Sequence, residues 1–212
     1  TQAALKRFSY RKLSRENRLT YDVLDYYLEL SKKESDYLLY EEPMGTVSGV
    51  QTQIPVLLSE YQFQSKEDVD AYLELMKTTP DYFNSLIAFE QEKAQKGLFM
   101  ASYTADTVIE QCQAFIDMGD SNYLISTFVD RIQKLTDLSE SEKSDYIQKN
   151  AYMLQTYVLP AYQQLIKTVV ELKDSGKNEE GLCYLPNGKE YYELTVQAST
   201  GSVSCLLYTS PS

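Results

Sequence analysis

Apolar residues recur every three or four positions along most of this chain, and that spacing is typical of amphipathic α-helices. Side chains that cap helices precede several of the apolar stripes, among them Ser14, Ser65 and Asn122. The stripes predict helices over residues 5–13, 14–30, 55–61, 65–76, 79–96, 104–118, 122–133, 140–173 and 189–198. The predicted buried faces of three of these helices are Leu19, Val23, Tyr26, Tyr27 and Leu30 on the second, Val69, Tyr72, Leu73 and Met76 on the fourth, and Tyr82, Phe83, Leu86, Ile87 and Phe89 on the fifth. Helical signals therefore dominate the chain.

The longest predicted helix follows a capping box. The Ser139 side chain can accept a hydrogen bond from the backbone of Glu142, while the Glu142 carboxylate reaches back to Ser139. A near-heptad apolar stripe then continues for roughly 50 Å at about 1.5 Å per residue. Its members are Ile147, Ala151, Leu154, Val158, Ala161, Leu165, Val169 and Leu172. Pro160 lacks the N–H that would bond to the Thr156 carbonyl, so we expect a kink there.

The remaining segments are short connections. Residues 46–52 are predicted to be an extended loop, residues 174–181 a polar loop, and residues 182–185 a brief extended segment. We find neither an internal repeat nor a linker between domains. The sequence therefore predicts an all-α fold, a single helical bundle over residues 1–203.

Composition restricts the chemistry of the chain. Histidine and tryptophan are absent, so the usual general base and a common zinc ligand are both missing. The formal net charge is −11, and the basic residues are scattered among acidic ones. Because phosphate contacts need clustered cations, we expect no nucleic-acid partner. No apolar run approaches the roughly twenty residues that would span a bilayer.

Two short acidic motifs are better explained as ordinary structure. The run 117–122 has spacing like a calcium loop, but its glycine is misplaced and Phe128 occupies the position of the bidentate glutamate. We expect a helix end followed by a helix cap there. The pair Glu41 and Glu42 has nothing nearby that would separate two pKa values, so a solvated surface is expected.

Tyrosine is unusually abundant, with 19 in the chain and adjacent pairs at 26–27 and 191–192. One explanation is packing between helices, with each hydroxyl reaching a polar partner or water. The other is a cleft wall that grips peptide or glycan. Tyr191 and Tyr192 are the candidate cleft-lining residues, because they follow a proline-asparagine-glycine turn.

The two ends of the chain suggest a fragment. Residue 1 is threonine, and the last eight residues, Cys205 to Ser212, resemble the translation of a sequencing-library adapter. We expect those eight residues to be non-native and to contribute nothing to stability. The other cysteines, Cys112 and Cys183, lie too far apart to suggest a disulfide framework and are expected to be buried free thiols.

Several segments, taken in order, resemble one bacterial family. Val-Leu-Pro-Ala-Tyr at 158–162 is followed by Leu-Pro-Asn-Gly at 185–188, by Tyr-Tyr at 191–192 and by Thr-Gly at 200–201. Upstream, residues 19–23 and 65–81 resemble the early helix and the capped helix with its proline turn. The chain is similar over essentially all of 1–203 to the family catalogued as domain of unknown function 885.

That resemblance implies a parent that is a zincin-like metallopeptidase, largely helical and built around a deep cleft. Such enzymes bind zinc through His-Glu-x-x-His and a downstream acidic residue, and the glutamate activates water for attack on a peptide carbonyl. The family pattern places these residues beyond Gly201, and none of them is present. Zinc and the peptide substrate are thus expected of the full-length parent. In this chain we expect no catalytic residue and no cofactor, only a contact with the remainder of the same domain after residue 204.

Other functions stay open from the residues alone. A different class is a non-catalytic, tyrosine-rich helical module that binds peptide or glycan. A hydrolase that uses only carboxylates is weaker, because no acid pair has an evident apolar setting. Some members of the family are exported lipoproteins, so the resemblance also implies an extracytoplasmic location. The parent gene beyond Ser204 either encodes His-Glu-x-x-His or does not, and that distinguishes the first two readings.

Overall fold

The computed structural model describes residues 1–201, and helices are the only regular elements among them. The all-α class predicted from the sequence is confirmed. The α-helices are α1 Gln2–Leu5, α2 Arg15–Glu34, α3 Val50–Glu60, α4 Lys66–Lys77, α5 Thr79–Gln95, α6 Ser102–Asp117, α7 Tyr123–Ile132, α8 Glu140–Met153, α9 Leu159–Leu172 and α10 Gly188–Thr200. The described residues divide into two compact units, residues 42–179 and residues 1–41 with 180–201.

Two predictions concern features outside this description. The expectation for Cys205 to Ser212 falls on residues beyond 201 and stays a prediction. The extent of the domain in a longer parent likewise stays a prediction. None of the helices within residues 1–201 is long and apolar enough to cross a membrane.

The unit that contains α1, α2 and α10 buries few side chains. Ser14 caps α2 as predicted, since its hydroxyl accepts a hydrogen bond from the N–H of Asn17 at 3.2 Å. Only Leu30 of the apolar stripe predicted on α2 is buried. The other four members are exposed: Leu19, Val23, Tyr26 and Tyr27. The pattern predicted the helix correctly and its burial wrongly, because periodicity does not report whether another element covers the apolar side.

The segment before α10 also differs from the prediction. An extended segment is predicted at 182–185, but Leu182–Tyr184 forms a 3-10 turn. The N–H of Leu185 donates to the carbonyl of Leu182 at 3.1 Å, so a local bond is made where a strand would need a partner. Asn187 then adopts a left-handed conformation with φ of 52°, and α10 begins at the next residue.

The unit formed by residues 42–179 has one contiguous apolar core. The predicted face of α4 is fully buried: Val69, Tyr72, Leu73 and Met76. Further core residues come from α6, α7 and the long helix, among them Val108, Phe115, Leu124, Phe128, Leu154, Val158, Leu165 and Val169. The core sits where these helices pack, and it fixes the positions of the groups described below.

α5 buries only part of its predicted face and, in addition, two charged residues. Three predicted residues are buried: Phe83, Leu86 and Ile87. Tyr82, also predicted to be inside, is 49% exposed, and Phe89 is half-buried. Glu90 and Lys93 are inside instead, with exposures of 1% and 0%. They continue the three- and four-residue spacing of the apolar side, but as charged residues they were not counted in the apolar pattern.

Both predicted N-terminal caps on α4 and α8 form. The N–H of Ser65 donates to the Asp68 carboxylate at 2.9 Å, and the N–H of Ser139 donates to the Glu142 carboxylate at 2.9 Å. Backbone bonds hold the pKa of both carboxyls below their usual range: the N–H groups of Gln64 and then Ser65 lower that of Asp68, and the N–H of Ser139 lowers that of Glu142 to about 2. Gly97 follows α5 with φ of 70°, as expected of a residue that ends a helix.

The start of α6 is capped by a distant side chain. A start at Thr104 is predicted, but the helix begins at Ser102. The N–H of Ser102 donates to both carboxylate oxygens of Glu179 at 3.0 Å, and its hydroxyl donates to one of them at 2.8 Å. A carboxylate at a helix N-terminus is favoured by the helix dipole. The cap comes from 77 positions away, so the local sequence could not show it.

α3 contains a proline in its interior. A helix start at Pro55 and a loop over 46–52 are predicted, but α3 begins at Val50. Pro55 has no N–H to donate to the carbonyl of Gln51, four residues earlier. The hydroxyl of the fully buried Tyr162 donates to that carbonyl at 2.7 Å. A side chain 111 positions away thus completes the hydrogen bonding of this helix.

The long helix is interrupted where predicted. α8 ends at Met153, a π-helical turn covers Leu154–Val158, and α9 follows. The N–H of Leu159 donates to the carbonyl of Leu154, five residues earlier. Pro160 comes next, and the wider turn accommodates a ring that would clash with a carbonyl in a regular α-helix. The interruption at Pro160 is confirmed, and its form is a π turn.

Candidate functional site

A cavity of about 300 Å³ opens beside the π turn, between the start of α5 and the start of α9. Its lining residues are Pro80, Phe83, Asn84, Thr156, Tyr157, Pro160, Ala161 and Gln164. All of them belong to the unit of residues 42–179. This volume lies at the lower end of the range for pockets that bind small ligands.

The floor of the cavity is apolar and its rim is polar. Phe83 and Ala161 are buried, with exposures of 1% and 5%. The Phe83 ring packs edge-on against Tyr162 with centroids 4.9 Å apart. The amide side chains of Asn84 and Gln164 are exposed at the rim, and none of the lining residues is charged. The cavity can therefore take an uncharged ligand that also forms hydrogen bonds.

A buried ionisable cluster lies in the same unit and consists of Glu42, Glu90 and Lys93. Nζ of Lys93 lies 2.9 Å from Oε2 of Glu42 and 3.8 Å from Oε2 of Glu90. Neither carboxylate oxygen of Glu90 has a hydrogen-bond donor among the described residues. Burial raises the pKa of Glu90 to about 7, although Lys93 acts in the opposite direction. Glu90 can therefore exchange a proton near neutral pH.

The cluster corrects the expectation of a solvated pair at Glu41 and Glu42. The Glu42 side chain is 47% exposed but contacts the buried Lys93, and burial raises its pKa against the lowering effect of that lysine. Sequence reasoning missed the cluster because Lys93 comes from α5. The sequence did contain one signal: Glu90 and Lys93 continue the three- and four-residue spacing of the buried residues of α5.

The predicted cleft-lining tyrosines lie in the other unit and have different surroundings. The Tyr191 ring is half-buried, 5.5 Å from the ring of Tyr37 and 5.1 Å from that of Tyr40. The Tyr40 hydroxyl donates to the Pro186 carbonyl. Tyr192 is 41% exposed. Packing accounts for Tyr191, and the prediction that the pair lines a cleft stays a prediction.

Other sequence candidates give no metal site in the described residues. Within 1–201, no three histidine, cysteine, aspartate or glutamate side chains form a group that could hold a metal ion. Cys112 is buried as predicted, and burial raises the pKa of its thiol to about 12, whereas Cys183 is exposed. In the run 117–122, the Asn122 side chain accepts from the N–H of Leu124 at 2.9 Å and caps α7. That run is a helix end followed by a cap, as expected.

Comparison with known proteins gives a family and a fold. No curated protein matches the chain. A solved structure described as "the putative lipoprotein from Colwellia psychrerythraea" is similar, with a TM-score of 0.73 and 17% identity. The match covers 78% of this chain and 29% of that one, so the chain spans less than a third of the length of the Colwellia protein. A family model for a bacterial protein of unknown function, DUF885, matches residues 1–204, and the chain therefore belongs to the DUF885 family.

Proposed function

We propose that this chain is a helical, cleft-forming part of a longer zinc-dependent peptidase, whose metal ligands lie outside it. The proposal is carried by one observation: the family match extends over residues 1–204, yet the chain spans only 29% of a similar solved structure. A part of that size shapes a larger fold and need not contain the reacting groups. The order of motifs that resembles zincin-like peptidases supports the assignment of the chemistry.

The residues of this chain do not fit a zinc ion. The sequence has no histidine, and residues 1–201 contain no group of three potential ligands. Catalytic zinc sites use about three protein ligands, with histidine the most frequent among them. We therefore assign no catalytic step to this chain. Its residues would hold and orient a substrate and exclude water, which lowers the barrier by positioning alone.

The cavity beside the π turn supports such a role. An apolar floor with an uncharged, hydrogen-bonding rim suits a peptide better than a phosphate or a sugar acid, which would need cations. π turns occur frequently at functional sites. The cavity is thus a part of this chain that is suited to contact a peptide in the parent.

The test compares the full-length parent with this chain. Zinc content and hydrolysis of an unstructured protein such as casein are measured on both, with and without a chelator. We expect the parent to bind zinc and to cleave the substrate in a chelator-sensitive way, and this chain alone to do neither. Zinc-dependent turnover by this chain, or a parent without both the motif and activity, would overturn the proposal.

A binding module that does not catalyse is the second candidate, and the tyrosine cluster favours it. The rings of Tyr37, Tyr40 and Tyr191 pack together with centroids 5.1 to 5.5 Å apart, and the next residue in the chain, Tyr192, is exposed. Aromatic side chains of this kind stack on sugars and peptides. Binding of peptide or glycan by a parent that lacks the zinc motif, with loss on Tyr192→Ala, would support this candidate.

We also propose an extracytoplasmic location for the parent. The family resemblance and the description of the similar Colwellia structure as a lipoprotein support it. Fractionation of cells that express the full-length gene tests it: recovery of the parent with the cytosolic fraction would contradict the proposal.

A further inference from the structure

We propose that the cavity beside the π turn is a subsite for one uncharged apolar side chain of a peptide, whose flanking peptide groups are held by Asn84 and Gln164. This inference deepens the proposed function and rests on its peptide substrate. It names a place and a specificity that neither the family match nor the similar structure provides.

Two of the residues that line the cavity are prolines. Pro80 and Pro160 face it from α5 and α9, and neither ring carries a donor N–H. The π turn places Thr156 and Tyr157 at the third side. The cavity therefore lies where the long helix departs from regular α-helical geometry.

The floor is held in place by the core. Phe83 packs against Tyr162 at 4.9 Å, and Tyr162 packs against Phe115 with centroids 4.6 Å apart. The Tyr162 hydroxyl is fixed in turn by its bond to the Gln51 carbonyl at 2.7 Å. A floor constrained in this way keeps its shape without a ligand, which reduces the entropy cost of binding.

The rim supplies the polar contacts. Asn84 and Gln164 are exposed, and their side-chain amides make no hydrogen bond to another described residue. Each amide has one acceptor oxygen and one donor nitrogen, the same complement as a peptide group. One amide from α5 and one from α9 can thus bind the peptide groups on either side of an inserted side chain.

Size and charge select the inserted side chain. The volume of about 300 Å³ accommodates one large side chain rather than a longer segment. A charged side chain would lose its hydration without gaining an ion pair, because no lining residue is charged. The subsite therefore favours side chains such as phenylalanine or leucine over aspartate or lysine.

Titration followed by ¹H–¹⁵N NMR tests the subsite. The probes are acetyl-Gly-Phe-Gly-amide, the same peptide with aspartate in place of phenylalanine, and 2-phenylethanol, which has the ring without peptide groups. We expect saturable shifts of the Asn84 and Gln164 side-chain amides with the phenylalanine peptide. The other two probes should bind at least tenfold more weakly, since each lacks one of the two kinds of contact.

A matched pair of variants separates the subsite from general surface effects. Asn84→Ala with Gln164→Ala, followed through the backbone amides of Phe83 and Ala161, should weaken binding of the phenylalanine peptide about tenfold or more. Gln163→Ala, the same change at the adjacent exposed position of α9, should leave its affinity unchanged. The rest of the spectrum reports whether each variant folds.

Several outcomes would overturn the subsite. They are no saturable shift, equal affinity for the aspartate peptide or for 2-phenylethanol, or an effect of Gln163→Ala as large as that of the double variant. The measurement involves no hydrolysis, so an inactive parent would leave its result intact. Conversely, an active zinc-dependent parent without binding here would remove the subsite and keep the proposed function.

Discussion

Two buried acceptor groups in residues 42–179, the Gln51 backbone carbonyl and the Glu90 carboxylate, differ in whether they receive a hydrogen bond. At Pro55, the Gln51 carbonyl has lost its usual helical partner and receives the Tyr162 hydroxyl at 2.7 Å. At Glu90, the carboxylate is as deeply buried, yet neither oxygen has a donor among the described residues. The Gln51 backbone carbonyl is thus paired with a neutral donor, whereas the state of Glu90 depends on whether a proton is bound. Burial of a polar group therefore makes the free energy of unfolding depend on pH at Glu90 but not at the Gln51 carbonyl.

The largest expected effect comes from removing the titration of Glu90. Burial raises the pKa of this carboxyl from 4.5 to about 7, with Lys93 and Glu42 as the charges that face it. The folded state thus binds more protons than the unfolded state in this interval, and the free energy of unfolding falls as pH rises from about 4.5 through 7. Glu90→Gln should match the wild type at pH 4.5 and exceed it by up to about 3 kcal/mol at pH 8.

Urea denaturation at several pH values measures this difference. Glu92→Gln, an exposed position on the same helix, is the matched control and should show no such crossover. If Glu90→Gln were less stable than the wild type at pH 8, Glu90 would be a charged partner of Lys93, and the contrast with Pro55 would disappear.

Tyr162→Phe tests the hydrogen bond from the Tyr162 hydroxyl to the Gln51 carbonyl. Removal of the hydroxyl leaves the buried Gln51 carbonyl without its donor, and we expect a loss of about 2 kcal/mol that does not change with pH. In a Pro55→Ala background the helix can supply an N–H to that carbonyl, so the same substitution should cost about half as much or less. Urea denaturation of the four proteins gives the coupling. Additive effects would show that the hydroxyl does not substitute for the missing N–H.

These two places also show what sequence could and could not predict. Caps formed between near neighbours, such as Ser139 with Glu142, were predicted correctly because both partners lie within one turn. The start of α3 was predicted five residues late, because a proline usually begins a helix and its rescue by Tyr162 is remote. Glu90 was missed because charged residues are almost never fully buried unless paired.

The cavity was only partly predictable. Pro160 indicated an interruption of the long helix, but not that the interruption is a π turn. The other wall comes from α5, and the meeting of Asn84 with Gln164 depends on the packing of two helices far apart in sequence. The tyrosines chosen as cleft residues, Tyr191 and Tyr192, belong to the other unit, and no observation so far tests that choice.

Pro160→Ala extends the comparison to a third case, in which the backbone itself has adjusted. Removal of a proline strained inside a helix would stabilise the fold by about 3 kcal/mol. The π turn has already relieved that clash, so we expect a gain below about 1 kcal/mol. Denaturation with urea measures it. A gain near the full value would mean that the turn does not accommodate the ring.

The smallest effect is expected at an exposed carboxylate that is fully paired. Backbone and side-chain bonds to Ser139 lower the pKa of Glu142 from 4.5 to about 2. The stabilisation is therefore present above pH 4.5 and is lost as pH falls through 2. Glu142→Gln keeps the capping geometry without the charge, so it should lower the melting temperature slightly at pH 7 and not at pH 2. A loss of equal size at both pH values would point to altered capping geometry instead.

The π turn has a consequence for the counting of residues along the long helix. Asn150, Leu154, Val158 and Tyr162 are all buried at intervals of four. Twelve residues of regular α-helix overshoot a common face by about 120°, whereas eleven return to within about 20° of it. Between Asn150 and Tyr162 the chain thus contains one residue more than a regular α-helix would need to return to the same face. Deletion of one residue in 154–158 would leave Tyr162 facing Gln51 and close the space beside Thr156. The additional residue in the π turn and the cavity beside it are thus two aspects of one feature of the long helix.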